Sequence, residues 1–303
     1  PWALCSWSSL RRSVFTARAD SSDAVPPKLQ QFSSRKQSIM KNSSNSATAP
    51  ATPVHRHRTV FHGIERTDDY AWLRAANWQE IMQEPAKLDP EIRSHLEAEN
   101  RYRKAQMAGS EDLQTKLVKE MRGRIKEDDS SVPMRDGAFA YGMRYREGGE
   151  QPLIVRVPAE GGKTEIVLDC DEEARDLAYF RLGGTDHSPD HRLLAWAHDD
   201  KGSEYYTVRF RDMASGKDMA EVVSNTAGGG TFNKDGRYFL YTVLDDNHRP
   251  SKLFLHRMGD TTGPDELLYE EKDAGLFLSV GTTQSRDWIV IDTHDHETSH
   301  AWL

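Results

Sequence analysis

Cysteine is nearly missing from this 303-residue sequence, which contains two, Cys5 and Cys170. They stand far apart, one near the N-terminus and one beside acidic residues at a strand end. They form no metal-ligand or redox spacing, which favours a reducing compartment. Long apolar runs are also missing, and no stretch approaches the ~18 apolar residues of a membrane-spanning helix. Net basic charge is lacking. A formal charge of −8 leaves no excess of Lys and Arg to track phosphates, which excludes a general nucleic-acid binder and suits basic or peptide-like partners. Nor does any serine sit in a Gly-x-Ser-x-Gly segment, the elbow that presents a hydrolase nucleophile.

Acids are scarce in one region only. Residues 1–53 are Ser-rich and carry Arg11, Arg12, Arg18, Lys28, Arg35, Lys36 and Lys41 against Asp20 and Asp23, a composition that predicts a leader outside the core. The Arg11-Arg12 doublet follows the apolar patch Trp2 to Leu10 instead of preceding it, so a secretory signal does not fit. An organellar transit peptide shares this composition. So does sequence upstream of a later start, for which Met40-Lys41 is a natural place.

Helical signals fill residues 54–130. His62 to Arg74 combines a Gly turn with acids ahead of Trp72 and Leu73. Asp89-Pro90 places an N-cap residue before a first-turn proline, predicting a helix through Ile92 and Leu96 towards Met107. A second helix from about Glu111 sets Leu113, Leu117 and Met121 on one face and stops at Gly123.

From Pro133 onward the period is two. Turn signals precede apolar strands four times: Arg135-Asp136-Gly137 before Phe139 to Tyr141, Ser188 to Arg192 before Leu193 to Ala197, Asn233 to Arg237 before Tyr238 to Val243, and, more weakly, Gln284 to Asp287 before Trp288 to Ile291. The clearest unit continues through Asp199-Asp200-Lys201-Gly202-Ser203 into a return strand with Tyr206, Val208 and Phe210 on one face. Leu153 to Val157, Glu165 to Leu168, Leu253 to His256 and Leu267 to Tyr269 read as further strands. About four strands per repeat and a repeat near fifty residues predict the blades of a β-propeller. The fold expected is therefore mainly β: a partial propeller over 131–303, preceded by a helical segment. Three repeats and part of a fourth fit, and Ser299 to Trp302 reads as strand, so a piece of a longer ring with open edges is expected.

Several long strings are familiar. Arg66-Thr67-Asp68-Asp69-Tyr70-Ala71-Trp72-Leu73-Arg74, Met121 to Asp129, Gly183-Gly184-Thr185-Asp186-His187-Ser188-Pro189-Asp190 and Asp199 to Glu204 together resemble the oligopeptidase B group of the prolyl oligopeptidase family of serine peptidases. The resemblance runs from about Pro53 to Leu303. It implies a seven-bladed propeller, here in its first blades, and a C-terminal α/β-hydrolase domain downstream of Leu303 that carries a Ser-Asp-His triad. It further implies short peptides cleaved after Arg or Lys, a propeller that restricts entry by size, and a cytoplasmic enzyme. On this reading no residue of the chain is catalytic, cofactor-binding or metal-binding, no cofactor is needed, and neither membrane nor nucleic acid is a partner. A non-catalytic propeller serving as a protein-interaction module is the alternative, since the architecture hosts many functions.

Some residues invite other readings. His187, Ser188 and Asp190 supply three triad residue types, yet they share one tight turn, whereas a triad converges from separate loops. His294-Asp295-His296-Glu297, and His55 with His57, have the i, i+2 spacing of residues on one strand face but lack a third metal ligand. Gly228-Gly229-Gly230 has no Lys-Ser/Thr partner for phosphate and reads as a tight blade connection. The acidic groups Glu127-Asp128-Asp129 and Asp171-Glu172-Glu173 are solvated loops, or a field that steers cationic peptides. Trp72 and Trp78 pack either within the helical segment or against the hydrolase domain.

Overall fold

The computed structural model describes residues 47–260 and 263–303; the expected leader therefore lies outside the described residues up to position 46. Among the described residues there are four α-helices: α1 (Trp78–Gln83), α2 (Pro90–Met107), α3 (Glu111–Arg122) and α4 (Cys170–Ala174). The chain divides into two compact units. One joins Trp72–Asp89 to Leu117–Leu303; the other, among the described residues, joins 47–71 to Pro90–Lys116.

The smaller unit corrects the sequence reading at its start. Strands β1 (His57–Phe61) and β2 (Ile64–Asp68) pair antiparallel with Phe61 opposite Ile64, so 57–68 is a hairpin and not the approach to a helix. His62 (φ 51°) and Gly63 (φ 75°) are both left-handed, the backbone that a two-residue hairpin turn needs to match strand twist. The β-branched and aromatic residues Thr59, Val60, Phe61 and Ile64 outweigh the acids that had suggested a helix start; only Ala71–Leu73 makes a helical turn. Helix α2 begins at Pro90 as expected, since a first-turn proline gives up no intrahelical donor. Its one buried residue is Ile92. The segment before β1 is tied to α2 by His55 to Glu91 (3.2 Å) and Thr52 to His95 (3.4 Å).

Helix α3 has Glu111 and Asp112 in its first turn and Lys119 and Arg122 in its last, which complements the helix dipole at both ends. It stops where Gly123 N–H donates to Lys119 O at 3.0 Å. The Leu113, Leu117, Met121 face exists, but all three side chains are exposed.

The larger unit is built of antiparallel sheets in chain order. Strands β3 (Met134–Asp136), β4 (Phe139–Arg144), β5 (Leu153–Pro158) and β6 (Glu165–Asp169) form a four-stranded sheet. Seven more make a continuous sheet: β7 (Arg181–His187), β8 (Leu193–Asp199), β9 (Tyr206–Asp212), β10 (Lys217–Phe232), β11 (Tyr238–Leu244), β12 (Pro250–Arg257) and β13 (Glu266–Glu270). Strands β14 (Phe277–Thr282), β15 (Ile289–His294) and β16 (Ser299–Trp302) form a three-stranded sheet.

The seven-stranded sheet is two four-stranded blades that share one strand. The 16-residue β10 pairs with β9 from Lys217 to Thr226 and with β11 from Thr226 to Phe232. Its first half closes the second blade and its second half opens the third. Thr226, fully buried, marks the changeover and donates Oγ1–H to Tyr206 O at 3.2 Å. Neither β7 nor this long strand is announced by alternation, because both are rich in glycine and small polar residues. Gly228-Gly229-Gly230, read from sequence as a connection between blades, lies inside β10. A Cβ on Gly183 would stand 2.5 Å from Gly228 O, and one on Gly184 would stand 3.1 Å from it. Glycine is used here because two strand backbones touch.

Among the described residues the core consists of three apolar layers, one between each pair of successive blades. Ile154, Val167, Leu168, Cys170 and Phe180 meet Leu194 and Trp196 between the first and second. Ala195, Ala197, Tyr206, Val208 and Phe210 meet Val223, Phe232, Phe239 and Tyr241 between the second and third. Leu240, Leu253 and Leu278 join the third to the fourth. Strand alternation sends Leu194 and Trp196 one way and Ala195 and Ala197 the other, so β8 is buried along nearly its whole length. Both faces of an inner blade are covered, which is why this strand reads as a continuous apolar run.

Helix α1 adjoins the β11–β12 turn. Trp78 packs against His248 with ring centroids 5.8 Å apart, and Gln79 Nε2 donates to Asp246 O at 2.8 Å. A propeller loop is thus one neighbour of Trp78; Trp72 is half-buried.

Candidate functional site at the turn ends of the leading strands

Each blade's leading strand ends in a turn, and three of these turns are built alike. Ser188 N donates to Leu193 O, Asn233 N to Tyr238 O and Thr283 N to Trp288 O, at 2.9–3.0 Å. Within them His191, Gly236 and Arg286 occupy the equivalent position, with φ of 59°, 70° and 59°. The turn after β3 is tighter, pairing Asp136 directly with Phe139. A left-handed backbone suits glycine, and a side chain there costs roughly 1 kcal/mol. His191 and Arg286 use the awkward geometry to aim their side chains at the first blade.

Arg286 is the centre of the cluster. Its Nε donates to Asp136 Oδ2 at 3.0 Å and its Nη2 lies 2.9 Å from the same oxygen. The guanidinium also reaches Asp186 Oδ1 (3.4 Å), His187 O (3.3 Å) and His187 Nε2 (3.3 Å). Asp186 is in turn held by the third blade, accepting from Phe232 N at 2.8 Å and Thr231 Oγ1 at 3.1 Å. One arginine of the fourth blade therefore binds groups of the first and second directly and of the third through Asp186. Lys234 of the third blade adds an ion pair to Asp287.

His187 Nδ1 faces Ser188 O at 3.1 Å, a carbonyl that can only accept, while Nε2 lies 3.3 Å from Arg286 Nη2 and 3.2 Å from Asp136 Oδ2. Burial, with the Arg286 guanidinium acting in the same direction, pushes the His187 pKa below the ordinary histidine value. Tyr141 stacks on the ring at 4.0 Å, and burial raises the Tyr141 phenol to about 12.

The residues that sequence singled out are distributed differently. Ser188 Oγ donates to Asp190 Oδ1 at 2.6 Å and accepts from Leu193 N at 2.9 Å and Arg192 N at 3.2 Å. Its hydroxyl closes the turn, and the His187 ring is directed away from it to Arg286 and Asp136. Asp199 is likewise structural. Burial alone would raise its carboxyl, but N–H donors from Lys201, Gly202 and Glu204 hold it below the usual range. His294 pairs with Asp292 at 2.9 Å, while Asp295 caps its own turn by accepting from Glu297 N and Thr298 N. Among the described residues, no group of three or more His, Cys, Asp or Glu is placed to hold a metal ion.

The acidic groups are mostly neutralised. Asp171 accepts from Arg146 Nε at 3.0 Å and from the Glu150 and Gln151 amides, Glu172 pairs with Arg175, and Glu173 binds Arg211 at 2.8 Å. These three acids open α4, capped by Asp169, and are a built structural feature and not a solvated loop. Glu127 accepts from Gly148 N at 3.3 Å and lies 3.5 Å from Arg122.

Sequence reasoning missed Asp136, Asp186 and Arg286 as a group. A signal did exist. The fourth turn matched its siblings weakly because Arg286 stands where Gly236 stands in the third, and a bulky residue at a glycine position is a reason to ask what its side chain reaches.

The blades, their shared strand and the layered core define a β-propeller domain. Residues 50–303 match the family described as prolyl oligopeptidase, N-terminal beta-propeller domain, and the chain belongs to that family. Dipeptidyl aminopeptidase BI of Pseudoxanthomonas mexicana is 30% identical over 272 residues, covering 84% of this chain and 36% of the relative. Protease 2 of Moraxella lacunata is 29% identical over 251 residues, covering 80% and 35%. Among solved structures, oligopeptidase B from Leishmania major has the same fold, with a TM-score of 0.76 at 24% identity, covering 84% of this chain and 37% of that one. Oligopeptidase B from Trypanosoma brucei, solved with covalently bound antipain, has a TM-score of 0.73 at 27% identity and the same coverage. The chain thus spans about a third of the length of the relatives it matches. Among the described residues no helix is long and apolar enough to cross a membrane.

Proposed function

We propose that this chain is the propeller portion of a cytoplasmic serine oligopeptidase that hydrolyses short peptides after Arg or Lys. The observation that carries the reading is the family match over residues 50–303. The likeness to Protease 2 supports a peptidase, and the 27% identical oligopeptidase B from Trypanosoma brucei supports the substrate class. In this reading a Ser-Asp-His triad on a C-terminal hydrolase domain performs the chemistry: the histidine takes the serine proton, the carboxylate fixes its tautomer, and backbone donors hold the oxyanion. The domains are a leader over 1–53, a helical segment over 54–130 and blades over 131–303.

The role of the blades is to admit short peptides and exclude folded chains. The Asp136–Arg286–Asp186 cluster serves this role by locking the turn ends of four blades together, so that the ring acts as a fixed filter. The acids at 171–173 are engaged with arginines or backbone amides, so steering of basic peptides falls to the net charge of −8.

The test is an assay of the intact gene product on a short Arg-containing peptide, with an active-site serine reagent as control. Reagent-sensitive cleavage after Arg is expected. Stable binding of a protein partner with no cleavage and no labelling would replace this reading with a non-catalytic interaction module. A hydrolase domain that fails to label would make the protein an inactive relative. Dipeptidyl aminopeptidase BI, 30% identical, favours a second reading in which dipeptides are released from a free N-terminus. Blocking the peptide's amino group separates the two, since cleavage after an internal Arg survives the block and dipeptide release does not.

A further inference from the structure

Away from the turn ends, a buried histidine lies between a buried carboxyl group, Glu221, and a partly exposed one, Asp265. His256, on β12, places Nε2 2.9 Å from Glu221 Oε1 and Nδ1 2.7 Å from Asp265 Oδ1. Glu221 belongs to the first half of β10, the closing strand of the second blade, and Asp265 precedes β13 in the third. The imidazole stacks on Phe210 of β9 at 5.9 Å with planes 10° apart. Tyr241 of β11 donates Oη–H to the other oxygen of Asp265 at 2.7 Å. Gly259 N–H donates to Glu221 Oε1 at 2.7 Å, while Glu221 Oε2 is buried without a hydrogen-bond partner. Solvent reaches little of either group, His256 being 5% and Glu221 4% exposed.

We propose that His256 is a proton-operated clasp between the second and third blades. A carboxylate oxygen only accepts, so two short contacts from one ring to two carboxylates require a proton on each nitrogen. The ring is then an imidazolium shared by two anions. Among the described residues no Lys or Arg pairs with Glu221 or Asp265; the ring is the only cation recorded against either. Loss of one proton turns a nitrogen lone pair towards a carboxylate oxygen and leaves a buried anion without its cation, a strongly unfavourable state. The contact across the blades opens in consequence. Stability from the clasp is present while both ring nitrogens carry protons and is lost when one of those protons leaves.

The experiment uses the purified intact protein. Thermal unfolding is followed across the neutral to alkaline range for the natural sequence and for the double variant Glu221→Gln, Asp265→Asn, whose amides can both donate to and accept from a neutral ring. The natural protein is expected to lose roughly 3 °C or more of its unfolding midpoint on the alkaline side, and the double variant to lose less. Identical alkaline limbs overturn the proposal. Selective 15N labelling of histidine gives a readout that does not depend on the variant folding: the His256 signals, assigned by their absence in His256→Gln, must show two protonated nitrogens at neutral pH. A single protonated nitrogen places the proton on a carboxyl group and overturns the clasp equally.

Discussion

A left-handed turn position suits glycine, yet two of the three equivalent turns hold His191 and Arg286 there. Their side chains explain the choice, since each reaches across to the first blade: His191 Nδ1 lies 3.0 Å from Tyr141 Oη and Arg286 binds Asp136. Histidine protonation in the second blade has a definite sign. His187, His191 and His198 are all held below the ordinary histidine value, with burial the largest cause in each. The unfolded chain therefore takes up protons first as pH falls below about 6.5, and stability drops with acid from that point down. His187→Gln should flatten this acid limb while leaving the alkaline limb unchanged, as read from unfolding midpoints against pH. Cys170 gives a second residue-scale expectation. It is fully buried, and burial, followed by the charges of Glu173 and Asp169, raises its thiol to about 12. Peptide-mapped alkylation should label Cys170 only after denaturant is added; fast labelling of the native protein would contradict the burial.

Strand β10 illustrates what an element does that no single residue does. It closes one blade and opens the next, and its glycines permit β7 to come within contact distance. Gly183→Ala places a methyl group 2.5 Å from Gly228 O and 2.9 Å from the Tyr206 ring, so two backbones must separate. Such overpacking costs about 1–3 kcal/mol, measurable as a lower denaturant midpoint at unchanged slope. Gly216→Ala is the control for crowding, since nothing lies within 4 Å of its position; the residue there has φ 68°, so its loss reflects backbone strain alone. Elements also divide by how plainly alternation announces them. The paired apolar strands β4, β5, β8, β9, β11 and β12 were legible from their period. Hairpin β1–β2 was not, because acids near Trp72 read as helix signals. Strands β7 and β10 were not, because glycine and small polar residues carry no facial pattern.

At the scale of the molecule, apolar layers hold the blades together and the turn-end cluster ties them. The two contributions are separable. Phe210→Ala removes a fully buried ring that meets Phe232 and Phe239 edge-on at 6.1 and 5.2 Å, and should cost about 3–5 kcal/mol in urea unfolding. Arg286→Gln should cost less, about 1–3 kcal/mol, because Asp136 is partly exposed and water can solvate it once the guanidinium is gone. On the proposed oligopeptidase reading its larger effect falls on filtering: the intact protein carrying Arg286→Gln should cleave longer peptides relatively faster, seen in the ratio of kcat/KM for a long and a short substrate.

The sequence by itself determined the mainly β fold, the place of the turns, the helix bounds of α2 and α3, and, through its long strings, the family. All of these depend on neighbours a few residues apart, where the periods of helix and strand and the demands of turn backbone act directly. It also showed that His187, Ser188 and Asp190 share one turn. Only the tertiary structure decided that β10 belongs to two blades, that Asp171, Glu172 and Glu173 are paired with arginines, and that Arg286 meets Asp136 across 150 residues of chain. Those outcomes depend on which faces the stacked sheets bring together, and a local pattern carries no information about a partner that stacking alone selects.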